Sequence, residues 1–444
     1  MAISGLDIYK HLPKTNCREC GFPTCLAFAM QLAKRAVALD KCPYILAEAK
    51  NILESASLPP IRLVSIGEGE NILELGNETV MFRHEEKFFH PTGIGFLIED
   101  NLQENELIER IKKINNLKFE RVGQEIKVNL IAIRQTGSAD NFIKIVNKVA
   151  SLTNLAICLI SQDTKALKTY LQNYKEKRPL IYALTKDNFD NNSLVVLGAN
   201  SVIVVLAKSI AELPDLTVRA NNAGLSDLLL ATEETSLTKK IFELTQFRRL
   251  ALKKNFRPFS FPTIVIVEED ELFKEVNRVV SYIAKYASVV ILKSIEPEII
   301  LPILTLRQNI YTDPQRPLQV EPKIYPVGQV NKDSPVLITT NFSLTYYTVL
   351  SEVEASKTPC FIVSVDTEGM SVLTAWAAEK FNSEKIVEAL KKNNLEERIT
   401  HKRLIIPGYV AVMSGDLEEK SGYQIIVGPR ESAGIPSFLK NLSR

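Results

Sequence analysis

Leu155-Ala-Ile-Cys-Leu-Ile-Ser-Gln-Asp163 is a run of six apolar residues that ends in three polar ones. A short run that is apolar on both faces reads as a strand buried from both sides, and Asp163 then stands where a following helix would be capped. The same unit recurs at Ile94–Ile98, Val128–Ile133, Leu180–Leu184, Val202–Leu206, Ile264–Val267 and Val289–Leu292, with amphipathic stretches between most of them. Seven strands alternating with helices over roughly 220 residues match a TIM (β/α)8 barrel, which usually takes about 250. The eighth strand is expected near Asn309–Tyr311 or around residue 220. A doubly wound open sheet is the competing arrangement.

Barrel enzymes carry their chemistry at the carboxyl ends of the strands. Here those ends read Glu99-Asp100, Arg134-Gln135, Ser161-Gln162-Asp163, Thr185-Lys186-Asp187, Lys208-Ser209 and Glu268-Glu269-Asp270. The four histidines, His11, His84, His90 and His401, all fall outside this block, so acid–base chemistry in it would rest on carboxylates and lysines. Asp163 and Asp187 read more simply as helix caps and Cys158 as core, which makes the barrel a scaffold or docking element with no catalytic residue assigned.

Outward from the barrel, 444 residues are too many for one core, so further domains are expected on either side. Lys+Arg 54 against Asp+Glu 52 leaves a net charge of +2, too balanced for binding driven by nucleic-acid phosphates or an anionic membrane. The opening Met-Ala-Ile-Ser-Gly-Leu-Asp-Ile lacks the apolar core of a secretory signal, and no run approaches the roughly 20 apolar residues of a bilayer span. A cytoplasmic protein without nucleic-acid or membrane partners is the expectation.

Toward the amino end, Cys17-Arg-Glu-Cys20-Gly-Phe-Pro-Thr-Cys25 is followed sixteen residues later by Cys42-Pro43, a C-x2-C-x4-C-x16-C pattern. Four thiolates are what a [4Fe-4S] cubane needs. Zinc also takes four thiolates but usually from two C-x2-C knuckles, and only the first pair has that spacing. Leu26, Met30, Ala33 and Val37 mark a helix beginning after Cys25. Were all sixteen spacer residues helical, Cys42 would lie roughly 24 Å from Cys25. The helix must therefore stop near Arg35 and Ala36 to Lys41 run back, roughly 20 Å of extended chain. Lys34, Arg35 and Lys41 beside the cluster either steer an electron donor or form a solvated face. A cluster with four protein ligands has no open position for substrate, so it would pass electrons to another centre.

Residues 61 to 92, with the runs Ile61, Leu63 and Thr79–Phe82 divided by Gly67, Gly69 and Gly76, read as a small β connector. Beyond the barrel, Pro314, Pro317, Pro322 and Pro326 mark an extended linker. Strand-turn-helix units then resume at Val336–Thr340, Phe361–Val365, Leu404–Gly408 and Gln424–Gly428. Each ends in small or hydroxyl residues, the place where open α/β sheets bind ligands. Thr340, Ser343, Ser371 and Thr374 would either line such a pocket or cap helices. No Gly-x-Gly-x-x-Gly or Gly-x4-Gly-Lys-Ser/Thr occurs, which argues for a large, flat, mostly uncharged ligand instead of a nucleotide.

The expected architecture is thus α/β multidomain: a [4Fe-4S] module at 1–57, a linker with short β segments at 58–92, a TIM barrel at 93–311, a proline-rich linker at 312–326 and a Rossmann-like α/β domain at 327–444. In this order, Cys17–Cys25, Val336-Leu-Ile-Thr-Thr-Asn-Phe-Ser-Leu-Thr-Tyr-Tyr-Thr-Val349, Glu368-Gly-Met-Ser-Val-Leu-Thr-Ala-Trp376 and Ile405-Ile-Pro-Gly-Tyr-Val-Ala-Val-Met-Ser-Gly415 resemble the large (gamma) subunit of the corrinoid iron-sulfur protein family of the anaerobic, carbon-fixing acetyl-CoA (Wood–Ljungdahl) pathway. The resemblance implies a [4Fe-4S] cluster on Cys17, Cys20, Cys25 and Cys42. It implies a cobalamin-type corrinoid lined by Thr340, Tyr346, Met370, Ser371, Val372, Leu373, Thr374, Gly408 and Ala433. It implies a methyl carrier in which Co(I) accepts methyl from methyltetrahydrofolate via a methyltransferase and delivers it to acetyl-CoA synthase, while the cluster rescues Co(II).

The implied partners are a small TIM-barrel subunit in a heterodimer, the methyltetrahydrofolate corrinoid methyltransferase, acetyl-CoA synthase/carbon monoxide dehydrogenase, and an electron donor such as ferredoxin. Asp-x-His-x-x-Gly is missing from the chain, and His401 is followed by Lys402 and Arg403. The corrinoid is therefore expected base-off with no protein histidine, a state in which cobalt is easier to reduce. Thr374 is expected nearest the lower cobalt face. The linker at 312–326 and a tether from Ser55 to Pro60 would let the end domains move. An iron-sulfur electron-transfer subunit without corrinoid, and an interaction protein with a structural zinc, are the competing readings.

Overall fold

The computed structural model describes residues 5–33, 37, 39–45, 59–173, 177–315 and 317–442. The chain divides into two compact units, one of Met1–Phe119 with Ile126–Tyr311 and one of Glu120–Glu125 with Thr312–Arg444.

In the first unit, helices Gly5–His11 and Cys25–Ala33 and the turn Leu39–Lys41 enclose Ile8, Leu12, Phe28, Ala29, Leu32 and Leu39. The helix after Cys25 is described over Cys25–Ala33; its expected end near Arg35 lies outside the described residues, as do Lys34, Ala36 and the tether from Ser55 to Leu58.

The segment expected to be a linker is instead the floor of the barrel. Strands β1 (Val64–Ile66) and β2 (Leu73–Leu75) pair antiparallel and bury Val64, Ile66, Leu73 and Leu75 against the barrel's inner wall. Gly93 packs directly under this plug: a hypothetical Cβ there would stand 2.7 Å from Leu73 Cδ2 at the amino end of the barrel. Thr79–Phe82 is loop, not strand, because its neighbour Glu78 is drawn into a buried ion pair with Arg248 at 2.9 Å. Arg248 also lies over the rings of Phe88 and Tyr286.

The barrel strand β3 (Gly93–Glu99) is followed by the small hairpin β4 (Lys118–Arg121) and β5 (Gln124–Lys127). The wall continues with β6 (Leu130–Arg134), β7 (Ala156–Ile160), β8 (Leu180–Leu184), β9 (Val202–Ala207), β10 (Leu228–Thr232), β11 (Ile264–Ile266) and β12 (Val289–Leu292). The eight form one sheet in the order β10-β9-β8-β7-β6-β3-β12-β11, every neighbour parallel. A parallel bridge from Leu230 to Thr263 joins its two ends, and Leu230 N donates to Pro262 O at 2.9 Å, closing the ring. The eighth strand is therefore Leu228–Thr232, near the second of the two expected places. Asn309–Tyr311 ends the helix Pro297–Tyr311. Leu-Leu-Leu-Ala-Thr has no β-branched residue until its last position, so periodicity alone could not separate it from the neighbouring helices.

The second unit is a five-stranded sheet of β13 (Ile324–Val327), β14 (Val336–Thr340), β15 (Cys360–Val365), β16 (Arg403–Ile406) and β17 (Gln424–Val427). Its order is β13-β15-β14-β16-β17, parallel except for the antiparallel edge strand β13. Helices Ser343–Ser356 and Ile435–Leu442 cover one face around Leu337, Ile362 and Ile405; Ser383–Lys392 and Ser414–Ser421 cover the other around Ile338, Val363 and Leu404.

The expected linker at 312–326 belongs to this unit. Gln319 bridges Phe342, Val320 N donates to Asn341 O at 2.9 Å, and Pro326 pairs with Phe361 on an edge strand, where its missing N–H costs nothing.

Candidate functional site

Cys20, Cys25 and Cys42 share the small core of the amino-terminal module, whereas Cys17 is exposed. The turn that brings them together runs through left-handed backbone at Lys14, Asn16, Arg18 and Gly21, and Asn16 Oδ1 accepts from Cys25 N at 2.8 Å. Burial pushes the Cys42 thiol up, and the nearby charges of Cys20, Cys25 and Cys17 add to that push, so all four sulfurs lie within electrostatic reach. The four-thiol donor set fits an iron-sulfur cluster.

The carboxyl mouth of the barrel holds a cavity of ≈ 480 Å³ beside Arg134, Gln135, Ser161, Asp163 and Tyr182. Its polar groups are largely engaged with one another. Arg134 makes two hydrogen bonds to Glu268, at 2.7 and 2.6 Å, and Ser161 Oγ donates to Gln135 Oε1 at 2.5 Å. Asp163 Oδ1 caps its helix by accepting from Lys165 N at 2.8 Å and Ala166 N at 3.2 Å. After β8 the N-cap position falls on Asn188 and not on Asp187, without a side-chain cap; Asn188 Oδ1 instead accepts from Thr185 N at 2.8 Å in the preceding turn. Cys158 is fully buried and its thiol pushed far up by burial, an inert core residue.

In the second unit the order of strands reverses between β14 and β16, which opens a crevice outside their carboxyl ends. Thr340 closes β14 with no exposed surface, and its Oγ1 has no protein partner. Gly408 follows β16, its N donating to Pro429 O at 3.0 Å; a Cβ there would stand 2.5 Å from Gly428 O and 2.9 Å from Arg430 N. The loop after β15 sets half-buried Met370, Ser371 and Val372 and exposed Leu373 and Thr374 at the same edge, with the Ser371 and Thr374 hydroxyls 3.0 Å apart. Ala433 is exposed on the turn Ser432–Gly434 after β17.

None of Thr340, Ser343, Ser371 or Thr374 makes a side-chain cap; Phe342 and Ser371 hold the two N-cap positions without one. The expected site residues at this edge carry no formal charge. Leu344, Leu373, Trp376, Tyr409 and Val412 are exposed on elements that follow the strand ends, an apolar rim suited to a large uncharged ligand. Tyr409 donates to Glu431, a bond that holds its phenol above the usual range.

Tyr346 is not brought to this loop cluster. It lies in the core with Leu337 and Ile362, its ring 4.6 Å from that of Tyr325 and 5.1 Å from that of Tyr347, and burial pushes its phenol up. His401 precedes β16, at the opposite edge of the sheet, and its Nε2 is bonded to Ser334 O at 2.9 Å. Sequence reading passed over Asn341 and Thr367, which hold the loop after β15. Thr-Thr-Asn at a strand end was the available signal.

A family model described as CO dehydrogenase/acetyl-CoA synthase delta subunit matches residues 63–439, and an Fe-S cluster family model matches residues 12–44. A corrinoid/iron-sulfur protein large subunit of Moorella thermoacetica is 44% identical over 443 residues, 99% of each chain. Acetyl-CoA decarbonylase/synthase complex gamma subunits align with 32% identity over 100% of both chains in Methanothermobacter thermautotrophicus and with 33% identity over 98% of each in Archaeoglobus fulgidus. The delta model stops short of the cysteine module, whereas the large-subunit and gamma relatives span it. Among the described residues no helix is long and apolar enough to cross a membrane.

Proposed function

Because the chain belongs to the CO dehydrogenase/acetyl-CoA synthase family that includes the corrinoid/iron-sulfur protein large subunit, we propose that it is a methyl carrier whose corrinoid sits in the crevice between β14 and β16. In this reading it accepts methyl from methyltetrahydrofolate by way of a methyltransferase and passes it to acetyl-CoA synthase. The observation that carries it is the crevice itself: a buried unpartnered Thr340 hydroxyl, the close-packed Gly408 and exposed Leu373, Trp376 and Val412 at one topological switch point. When bound, the corrinoid supplies a cobalt that takes and gives up methyl, and the cluster on Cys17, Cys20, Cys25 and Cys42 supplies single electrons to restore it.

The chain's own residues bind, shield and leave the metal free. Gly408 keeps the loop after β16 flush with the loop after β17, so the ligand meets backbone and not a side chain. Leu373, Trp376 and Val412 exclude water from its edge. Ser371 and Thr374 hold each other, so Thr374 offers at most a neutral hydroxyl. His401 is tied to Ser334 at the far edge, which supports a base-off corrinoid without a protein imidazole. Exposed Cys17 is the point where a ferredoxin-like donor would pass electrons in, while Cys25 and Cys42 are shielded.

The small barrel subunit of a heterodimer and acetyl-CoA synthase/carbon monoxide dehydrogenase complete the expected assembly.

The test is iron and cobalt content on anaerobically prepared protein supplied with corrinoid, with absorption spectra during stepwise reduction. About four iron and one cobalt, with the band of fully reduced cobalt appearing, is the expected result. Iron without cobalt would replace this reading with a cluster-only electron-transfer subunit, and zinc alone would remove both.

A further inference from the structure

Asn341 follows the last residue of β14 and is 1% exposed, yet it is polar and lies outside the set of crevice residues. Its side chain makes contacts in two directions. Nδ2 donates to Gln319 Oε1 at 3.2 Å and to Asp366 Oδ1 at 3.1 Å. Oδ1 accepts from Thr367 N at 2.9 Å, Thr367 Oγ1 at 3.0 Å and Gly369 N at 3.1 Å. Its backbone is committed as well, N to Val365 O and O from Val320 N, both at 2.9 Å. Thr367 Oγ1 also reaches Met370 O at 3.0 Å, and Met370 N donates back to Thr367 O at 3.2 Å.

Three segments therefore meet on one amide: the end of β14, the 318–320 strap and the 366–370 loop. That loop leads directly into Ser371 and Thr374. Gly369 has φ +73 and a Cβ there would stand 2.7 Å from Gln319 Cγ, so strap and loop are in contact as well as bonded through Asn341. A carboxamide carries a two-hydrogen donor and a carbonyl acceptor on one planar group, and this position uses both functions.

We propose that Asn341 is the positioning residue of the cofactor loop: it sets where Ser371 and Thr374 stand at the crevice, with Gln319 and Asp366 as its braces. The assignment of that crevice to a corrinoid rests on the function proposed above; the clamp itself does not.

Asn341→Asp is the discriminating variant. It keeps acceptors for Thr367 and Gly369, loses both donations, and sets a carboxylate against Asp366. The loop should loosen. In the cofactor-free full chain, amide hydrogen exchange at Thr367 and Gly369 should accelerate at least about tenfold. The fluorescence of Trp376, the only tryptophan and a short step beyond the loop, should shift with it. With aquacobalamin as probe, affinity should fall and the electron paramagnetic resonance spectrum of the bound cobalt, once reduced by one electron, should change.

The double variant Asn341→Asp with Asp366→Asn reverses donor and acceptor across the same contact, giving up the 3.1 Å bond from Glu368 N to Asp366 Oδ1, and should restore exchange, fluorescence and cobalt signature part of the way toward the original. A residue that merely stabilises the fold would lower the denaturation midpoint and leave the cobalt spectrum alone. If Asn341→Asp fails to fold, Gln319→Leu at its exposed neighbour should give the same changes in smaller measure. Unaltered exchange at Thr367 and Gly369, or a double variant no better than the single one, overturns the clamp. Failure of the unaltered chain to bind aquacobalamin, with the exchange results intact, overturns the cofactor assignment and leaves the clamp standing.

Discussion

Gly408→Ala would add a methyl group where backbone atoms of the neighbouring loop already stand. The added methyl would stand 2.5 Å from Gly428 O, 0.9 Å inside the 3.4 Å at which ordinary contact begins, and 2.9 Å from both Arg430 N and Pro429 C. All three atoms are backbone, so no rotamer change relieves the clash. Overpacking of this kind costs about 1–3 kcal/mol, and parting the loops also weakens the 3.0 Å hydrogen bond from Gly408 N to Pro429 O, worth about 1 kcal/mol.

The two loops join the carboxyl ends of β16 and β17 and can separate without opening the sheet, so the strain should appear mainly as a displaced crevice wall. Roughly 2–4 kcal/mol charged against the binding-competent form lowers corrinoid affinity by about 30-fold to 1,000-fold. Titration of the corrinoid-free chain with aquacobalamin, followed by Trp376 quenching, reads this directly. Chemical denaturation of the same samples should show a much smaller change. Affinity within twofold of the original with unchanged stability would refute both the close approach at Gly408 and its place in the site.

Thr374→His should place an imidazole where the hydroxyl now stands, adding nitrogen coupling to the one-electron-reduced cobalt spectrum and slowing its reduction; identical spectra would remove Thr374 from the lower face. In iron-free protein, iodoacetamide should modify exposed Cys17 well before buried Cys25 and Cys42, and a uniform rate, read by mass spectrometry, would contradict the module's packing. The Arg134 hydrogen bonds hold Glu268 below the usual carboxylate range, with partial burial opposing them. That stabilisation is present above the unfolded carboxylate value near pH 4.3 and is lost as pH falls through the lower folded value. Glu268→Gln should therefore lower the denaturation midpoint of the barrel at pH 7 and lose its effect in strong acid; because both partners are partly solvated the difference should be small.

Much of this molecule could be read along the chain because its signals are local. C-x2-C-x4-C-x16-C announces four thiolates wherever it folds, and the spacing alone required a short helix after Cys25. Seven barrel strands declared themselves because a strand buried on both faces must be apolar throughout. The strands of the carboxyl-terminal domain were legible for the same reason, as were the small and hydroxyl residues at their ends.

What remained was decided by contacts between distant residues. Leu228–Thr232 became a strand only because the ring needed an eighth member between β9 and β11. Val64–Ile66 and Leu73–Leu75 ceased to be a connector once the open floor of the barrel offered them apolar surface to cover. The proline-rich segment lost its freedom to the edge of β15 and the corner at Asn341. Tyr346 turned from the crevice into the core because its helix presents that face to the sheet.

Composition and spacing thus determined the amino-terminal cysteine module and the two α/β domains that follow it. Only tertiary structure decided that one buried carboxamide would hold the strap, the strand end and the loop together, because its partners lie 22 to 28 residues away in the chain.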